Sequence, residues 1–145
     1  ELADIVKKYG SLGQAVQKKM LGGTDPSNNS KNPAEYLSSL FPKSKIVPKG
    51  KNSANKRIHM FLRWMVRQNS PVDLGIWTWA NPKDLLIPLD VHVMQQAIEL
   101  GLLPEKASAS LKTTQILTDK MAEVFPDDPV RADFALFGLG VSKNS

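Results

Sequence analysis

The residues best suited to chemistry sit in the string Ile87-Pro88-Leu89-Asp90-Val91-His92-Val93. Pro88 keeps a regular helix from running straight into Asp90. Asp90 is then suited to cap a helix predicted over Val91–Leu100, with Gly101 closing it. A carboxylate at that position faces free backbone amides and the positive end of the helix dipole, which favour its anion. The plain alternative is an N-cap Asp beside a structural His92. Other chemistries find less support. The chain has two His and no Cys, so thiolate zinc sites and disulfides are excluded. Asp90 and His92 stand two apart on a helix and do not converge on a metal. A magnesium nuclease built on Asp73, Asp84 and Asp90 is the remaining metal option, and no metal or other cofactor is expected. Serine-nucleophile and phosphate-loop motifs are missing. Gly138-Leu139-Gly140 follows a helix rather than opening one, so it is not a dinucleotide fingerprint.

Trp64, Trp77 and Trp79 lie close together in the sequence. An enzyme acting on a nucleobase takes it out of the stack and holds it between aromatic or apolar faces. Trp77 and Trp79, in the loop before Asp90, are candidates for such a pocket. Core packing is the competing reading for both, and the favoured one for Trp64, Phe134 and Phe137. Asp133 is read as structural, with base recognition as the alternative. Charge points the same way. The net charge is +5, and from Tyr36 to Val72 there is no Asp or Glu. That stretch holds Lys43, Lys45, Lys49, Lys51, Lys56, Arg57, Arg63 and Arg67. Such asymmetry predicts a surface facing a polyanion, with nucleic acid the expected partner. A solvated basic face and an acidic protein partner are the alternatives.

The elements that must position these residues read as helices. Leu2–Tyr9 and Leu12–Leu21 look helical, and residues 22–31 read as a flexible loop. Asn32-Pro33 opens a helix that places Tyr36, Leu37 and Leu40 on one side. Ser53 or Asn55 caps a helix over Ala54–Gln68 with a core stripe of Ile58, Phe61, Leu62 and Met65. A second stripe, Lys56, Met60, Arg63 and Arg67, is predicted to carry bases along another side. Asn81-Pro82 begins a single turn. Ser108 or Ser110 opens a helix with Leu111, Leu117, Met121 and Val124 inward. Asp128-Pro129 caps a last helix through Phe134 and Phe137 that ends at Gly138 or Gly140. No segment shows strand alternation, so the fold class is all-α. A length of 145 residues and 41% apolar content fit one domain, 1–145, with a modest core. The chain opens on Glu1 rather than Met, as a piece of a longer protein would. No apolar run approaches the ~18–20 residues of a membrane span, and no signal peptide is visible. A cytoplasmic, nucleoid-associated protein is expected.

The string around Asp90 resembles the helix after the hairpin in helix-hairpin-helix DNA glycosylases, of the 8-oxoguanine and endonuclease III branches. The resemblance implies that Asp90 is the catalytic carboxylate, assisting departure of a damaged base and stabilising positive charge on the sugar. His92 matches the family's structural or phosphate-neighbouring His. Upstream, Val47-Pro48-Lys49-Gly50-Lys51-Asn52-Ser53-Ala54 is similar to the hairpin but keeps only one of its glycines. Bifunctional members carry a nucleophilic Lys here, and two registers are open, Lys51 and Lys56. Lys56 is preferred: a first helical turn and the neighbouring Arg57 both favour the neutral amine that attack requires. Lys49, Gly50, Lys51, Arg57, Arg63, Arg67 and His92 are the implied DNA contacts. The strings KRIHMFLRWMVR, LIPLDVHV and DPVRADFALFGLGV are also similar to an uncharacterised bacterial family related to these glycosylases. The implied activity is base excision on oxidised purine lesions such as 8-oxoguanine, with strand cleavage if the Lys is competent.

Overall fold

A computed structural model describes residues 1–22, 30–50 and 52–143. Among these, helices are the only regular elements, and Ser53 and Ser110 form one isolated bridge. The fold is all-α. The helices are α1 (Leu2–Tyr9), α2 (Leu12–Leu21), α3 (Ala34–Ser39), α4 (Lys56–Val66), α5 (Val91–Glu99), α6 (Leu111–Val124) and α7 (Asp133–Lys143). Single 3₁₀ turns occupy Pro82–Asp84 and Pro129–Ala132. The bounds of α1 and α2 are those predicted. The loop predicted at 22–31 falls mostly outside the described residues.

Local chemistry sets several of these ends. Ser11 accepts from the Gln14 amide, Asp90 from Val93 and Ser110 from Thr113, each satisfying an otherwise free donor at a helix start. Asn81 does the same for the Pro82–Asp84 turn. At α4 the expectation fails. Asn55 precedes the helix in a left-handed conformation, φ 45°, and its amide nitrogen donates to Gly50 O at 2.7 Å instead of its oxygen capping the helix. A helix cannot pass through that geometry, so α4 starts at Lys56 rather than Ala54. The last helix also departs from expectation. It begins at Asp133 and continues through Gly138 and Gly140. Gly140 is buried, and an added Cβ would meet His92 and Gln96 at 3.3 Å. The absence of a side chain there lets α7 pack closely on α5.

The core gathers around α4, whose Ile58, Leu62 and Val66 are buried at helical spacing. Phe61 and Met65 pack on it from its edge. Leu117 and Met121 face inward as predicted, but Val124 is exposed. The segment ahead of Asp90 enters the core as an extended strap. Leu85, Ile87 and Leu89 are buried at every second position, and Thr118 accepts from the Ile87 amide at 3.0 Å. This strap fixes where α5 begins.

His59 shares the buried face of α4, and neither ring nitrogen has a hydrogen-bond partner among the described residues. Burial lowers its pKa from 6.5 to about 4. The unfolded chain therefore takes up a proton below pH 6.5 that the folded chain refuses. Stability is full above pH 6.5 and falls as pH drops toward 4, by up to roughly 3 kcal/mol. His59→Phe keeps the ring volume and removes two unpaired nitrogens, so it should unfold at a higher temperature at pH 7. It should also lose this acid-sensitive window. Thermal melts of both proteins from pH 7 to 4 measure both effects, and parallel profiles would contradict them.

Candidate functional site

Lys56 is the first residue of α4 and Asp90 the N-cap of α5, 34 residues apart in sequence. The fold brings them into contact, with Lys56 Nζ 2.9 Å from Asp90 Oδ2. The other carboxylate oxygen accepts from the Val93 amide at 2.8 Å. The Asp90 side chain is 14% exposed and that of Lys56 44% exposed, so the pair lies at the surface with the carboxylate recessed. Burial pushes the Asp90 carboxyl up. The Val93 amide, the Lys56 ammonium and the charge of His92 outweigh it and hold the group below its ordinary value. Asp90 is thus kept as an anion, ion-paired with the Lys56 ammonium and capped by the Val93 amide.

Two rings of α7, not the predicted ones, contact neighbours of these residues on α4 and α5. His92, exposed and two residues beyond Asp90, meets Phe137 edge to face with ring centroids 6.0 Å apart. Phe134 lies against the Arg63 guanidinium, 4.3 Å from its ring centroid. Both Phe134 and Phe137 are more than 40% exposed, against the core role expected of them. Their spacing of three on α7 was the available signal. Trp64, also expected in the core, is 43% exposed. The pocket expected of Trp77 and Trp79 is corrected. Trp77 is buried in the core: its indole occupies the space above Gly13 on α2 and meets Phe61 at 5.7 Å. Trp79, half-buried, stacks on Trp77 at 5.4 Å. The ring contacts of the two indoles are thus with Phe61, Gly13 and each other.

A second correction concerns the basic stripe. Arg63 and Arg67 are buried, and they face carboxylates rather than solvent. Arg63 pairs with Asp73 at 3.2 Å and with Asp133, and Arg67 pairs with Asp73 and Asp128 at 2.8 Å. Burial pulls the Arg67 pKa down, but Asp128 and Asp73 outweigh it, leaving a firmly cationic group. Burial dominates at Asp133 and pushes its carboxyl up; the Asp90 charge adds to this, while Arg63 and Lys56 oppose it. Asp133 is thus held in a buried ion pair with Arg63, as a structural carboxylate would be, and it feels the charges of Lys56 and Asp90. Two of the eight bases of the acid-free stretch are thus unavailable to a partner. Lys43, Lys45, Lys49 and Arg57 are exposed. Lys49 donates to Pro42 O, and Gly50 is exposed with its carbonyl taken by Asn55. Gly50 does not adopt positive φ, so its backbone needs no glycine. Lys51 lies outside the described residues.

Among the described residues no group of three or more His, Asp or Glu is arranged to hold a metal ion, and no helix is long and apolar enough to cross a membrane. No curated protein and no solved structure matches the chain. A family model described as a protein of unknown function, DUF2400, matches residues 1–142. That match spans nearly the whole chain, which therefore belongs to the DUF2400 family.

Proposed function

We propose that this protein is a DNA glycosylase with lyase capacity, of helix-hairpin-helix type, acting on an oxidised purine in duplex DNA. The observation that carries the reading is the 2.9 Å pairing of Lys56 with Asp90 at the meeting of two helix N-termini. An amine and a recessed carboxylate at one surface point are the two groups that base excision with imine formation needs. The resemblance of IPLDVHV to the glycosylase segment supplies the substrate class.

As the bond from C1′ to the base breaks, positive charge builds on the sugar, and Asp90 stabilises it. That charge competes with Lys56 for the carboxylate. The ammonium gives its proton to the departing base, and the neutral amine attacks C1′. The C1′–O4′ bond then breaks, a proton passes from the nitrogen to O4′ and the protonated imine is left; loss of a C2′ proton from it expels the 3′ phosphate and cleaves the strand. Phe137, in edge contact with His92 two residues beyond Asp90, and Phe134, three residues earlier on α7, are the exposed rings we assign to the everted base. Lys43, Lys45, Lys49 and Arg57 serve the phosphates.

A duplex containing one 8-oxoguanine, compared with its undamaged twin, tests the activity by release of free base. Release from the lesion duplex alone is expected. No release together with no borohydride-trapped adduct would overturn the enzyme reading. DNA affinity should fall steeply with salt, since each phosphate neutralised contributes about −0.9 to the slope of log K against log salt. Arg57→Ala should flatten that slope by about one such unit, and salt-independent binding would contradict the basic face.

A further inference from the structure

A groove of about 1420 Å³ runs between α1, α2, α3, the start of α4 and α6. It stands apart from the proposed catalytic pair, since neither Lys56 nor Asp90 lines it. Two independent features mark it. Lys8, Lys18, Lys19, Lys31, Lys49 and Lys83 line it, and none forms an ion pair among the described residues. Lys19 and Lys49 are held by the neutral oxygens of Ser39 and Pro42. Glu35, Asp84 and Asp119 also line the groove, so cations exceed anions by three.

The second feature is His59. It lines the groove and is 2% exposed, with neither ring nitrogen bonded among the described residues. A buried imidazole without partners is costly, and native proteins rarely keep one without a reason. The neutral ring offers one donor and one acceptor. Phosphate alone has little use for the acceptor, whereas the edge of a nucleobase satisfies both. Lysines suit the phosphate as point charges. We infer that this groove is a nucleotide-binding site, with lysines on the phosphate and His59 reading the base edge. The nucleotide could be free or part of a single strand, and the two share this chemistry.

The chain has only two His, so ring NMR signals of His59 are assignable by comparison with His92→Gln. Titration of the full chain with 2′-deoxyguanosine 5′-monophosphate should shift the His59 ring and leave His92 in place. Inorganic phosphate should compete with the nucleotide without giving the same His59 shift. A short oligothymidylate that binds about tenfold tighter than the mononucleotide assigns the site to a strand, and the reverse order assigns it to free nucleotide. His59→Phe should weaken nucleotide binding roughly tenfold, as loss of a hydrogen bond to the base does, with phosphate binding unchanged. If that variant fails to fold, Lys18→Ser with Lys83→Ser should weaken both nucleotide and phosphate. A His59 signal unmoved by millimolar nucleotide and by oligonucleotide would overturn the inference. An equal shift with polyglutamate would also overturn it, in favour of an acidic peptide. Lys49 is shared with the phosphate contacts proposed above, but the groove excludes Lys56 and Asp90, so failure of nucleotide binding leaves the base-excision chemistry untouched and loss of base excision leaves the His59 shift untouched.

Discussion

Lys56→Ala should abolish borohydride trapping on lesion-containing DNA, and Lys51→Ala should retain it. The expectation follows from geometry at Asp90, where Lys56 is the amine within 2.9 Å of the carboxylate. The variant should remain folded. Lys56 is 44% exposed, and an ion pair that open to solvent contributes no more than about 1 kcal/mol. Asp90 keeps its Val93 amide, so α5 keeps its cap. Asp90→Asn separates charge from structure in the same way. An Asn oxygen can still accept from Val93, so the helix start survives. The negative charge facing the sugar is lost, and base release should slow by about 10²–10³-fold, the cost of removing one aimed electrostatic group. Single-turnover base release with matched circular dichroism spectra measures both. Wild-type rates in Asp90→Asn would remove Asp90 from the chemistry.

Arg63→Ala should be the most destabilising of the substitutions considered. It strips the guanidinium from Asp133, which is buried, and leaves Asp73 to Arg67 alone. An uncompensated buried carboxylate costs about 3–5 kcal/mol, a large share of the ~5–15 kcal/mol that holds a typical domain folded. Arg63→Met with Asp133→Leu replaces both charges by apolar groups and should recover much of the loss, because the pair's desolvation cost disappears with it. Urea unfolding of Arg63→Met, Asp133→Leu and the double variant gives the coupling directly. Additive losses would mean that the two side chains do not act as a pair.

What could be read from the sequence was local. Asp90 as a helix cap follows from three neighbouring facts: a proline before it, an acid with a short side chain, and a free amide three residues on. The helical stripe of Ile58, Phe61, Leu62 and Met65 is equally local, though the structure buries Val66 and leaves Phe61 and Met65 at the edge. What failed depended on partners distant in the chain. Arg63 and Arg67 recur at helical spacing in a stretch without acids, which reads as an outward basic face. Their partners, Asp73, Asp128 and Asp133, all lie outside that stretch, up to 70 residues from Arg63. Trp77 looked available in a loop because nothing nearby shows that Gly13 leaves room for its indole. The strap of Leu85, Ile87 and Leu89 is too short to read as a strand, with Pro88 interrupting it. His59, one polar residue between core positions, gave no signal until its surroundings were known. The proximity of Lys56 to Asp90 was implied only by resemblance, because no local rule joins two helix starts 34 residues apart.

The pair itself can be tested at a single atom. Borohydride reduction of the protein bound to an 8-oxoguanine duplex, followed by proteolysis and mass spectrometry, identifies the residue joined to the sugar. The Lys56–Asp90 account predicts the adduct on the peptide carrying Lys56. An adduct on Lys51, on the amino terminus of Glu1, or on no residue at all would contradict it.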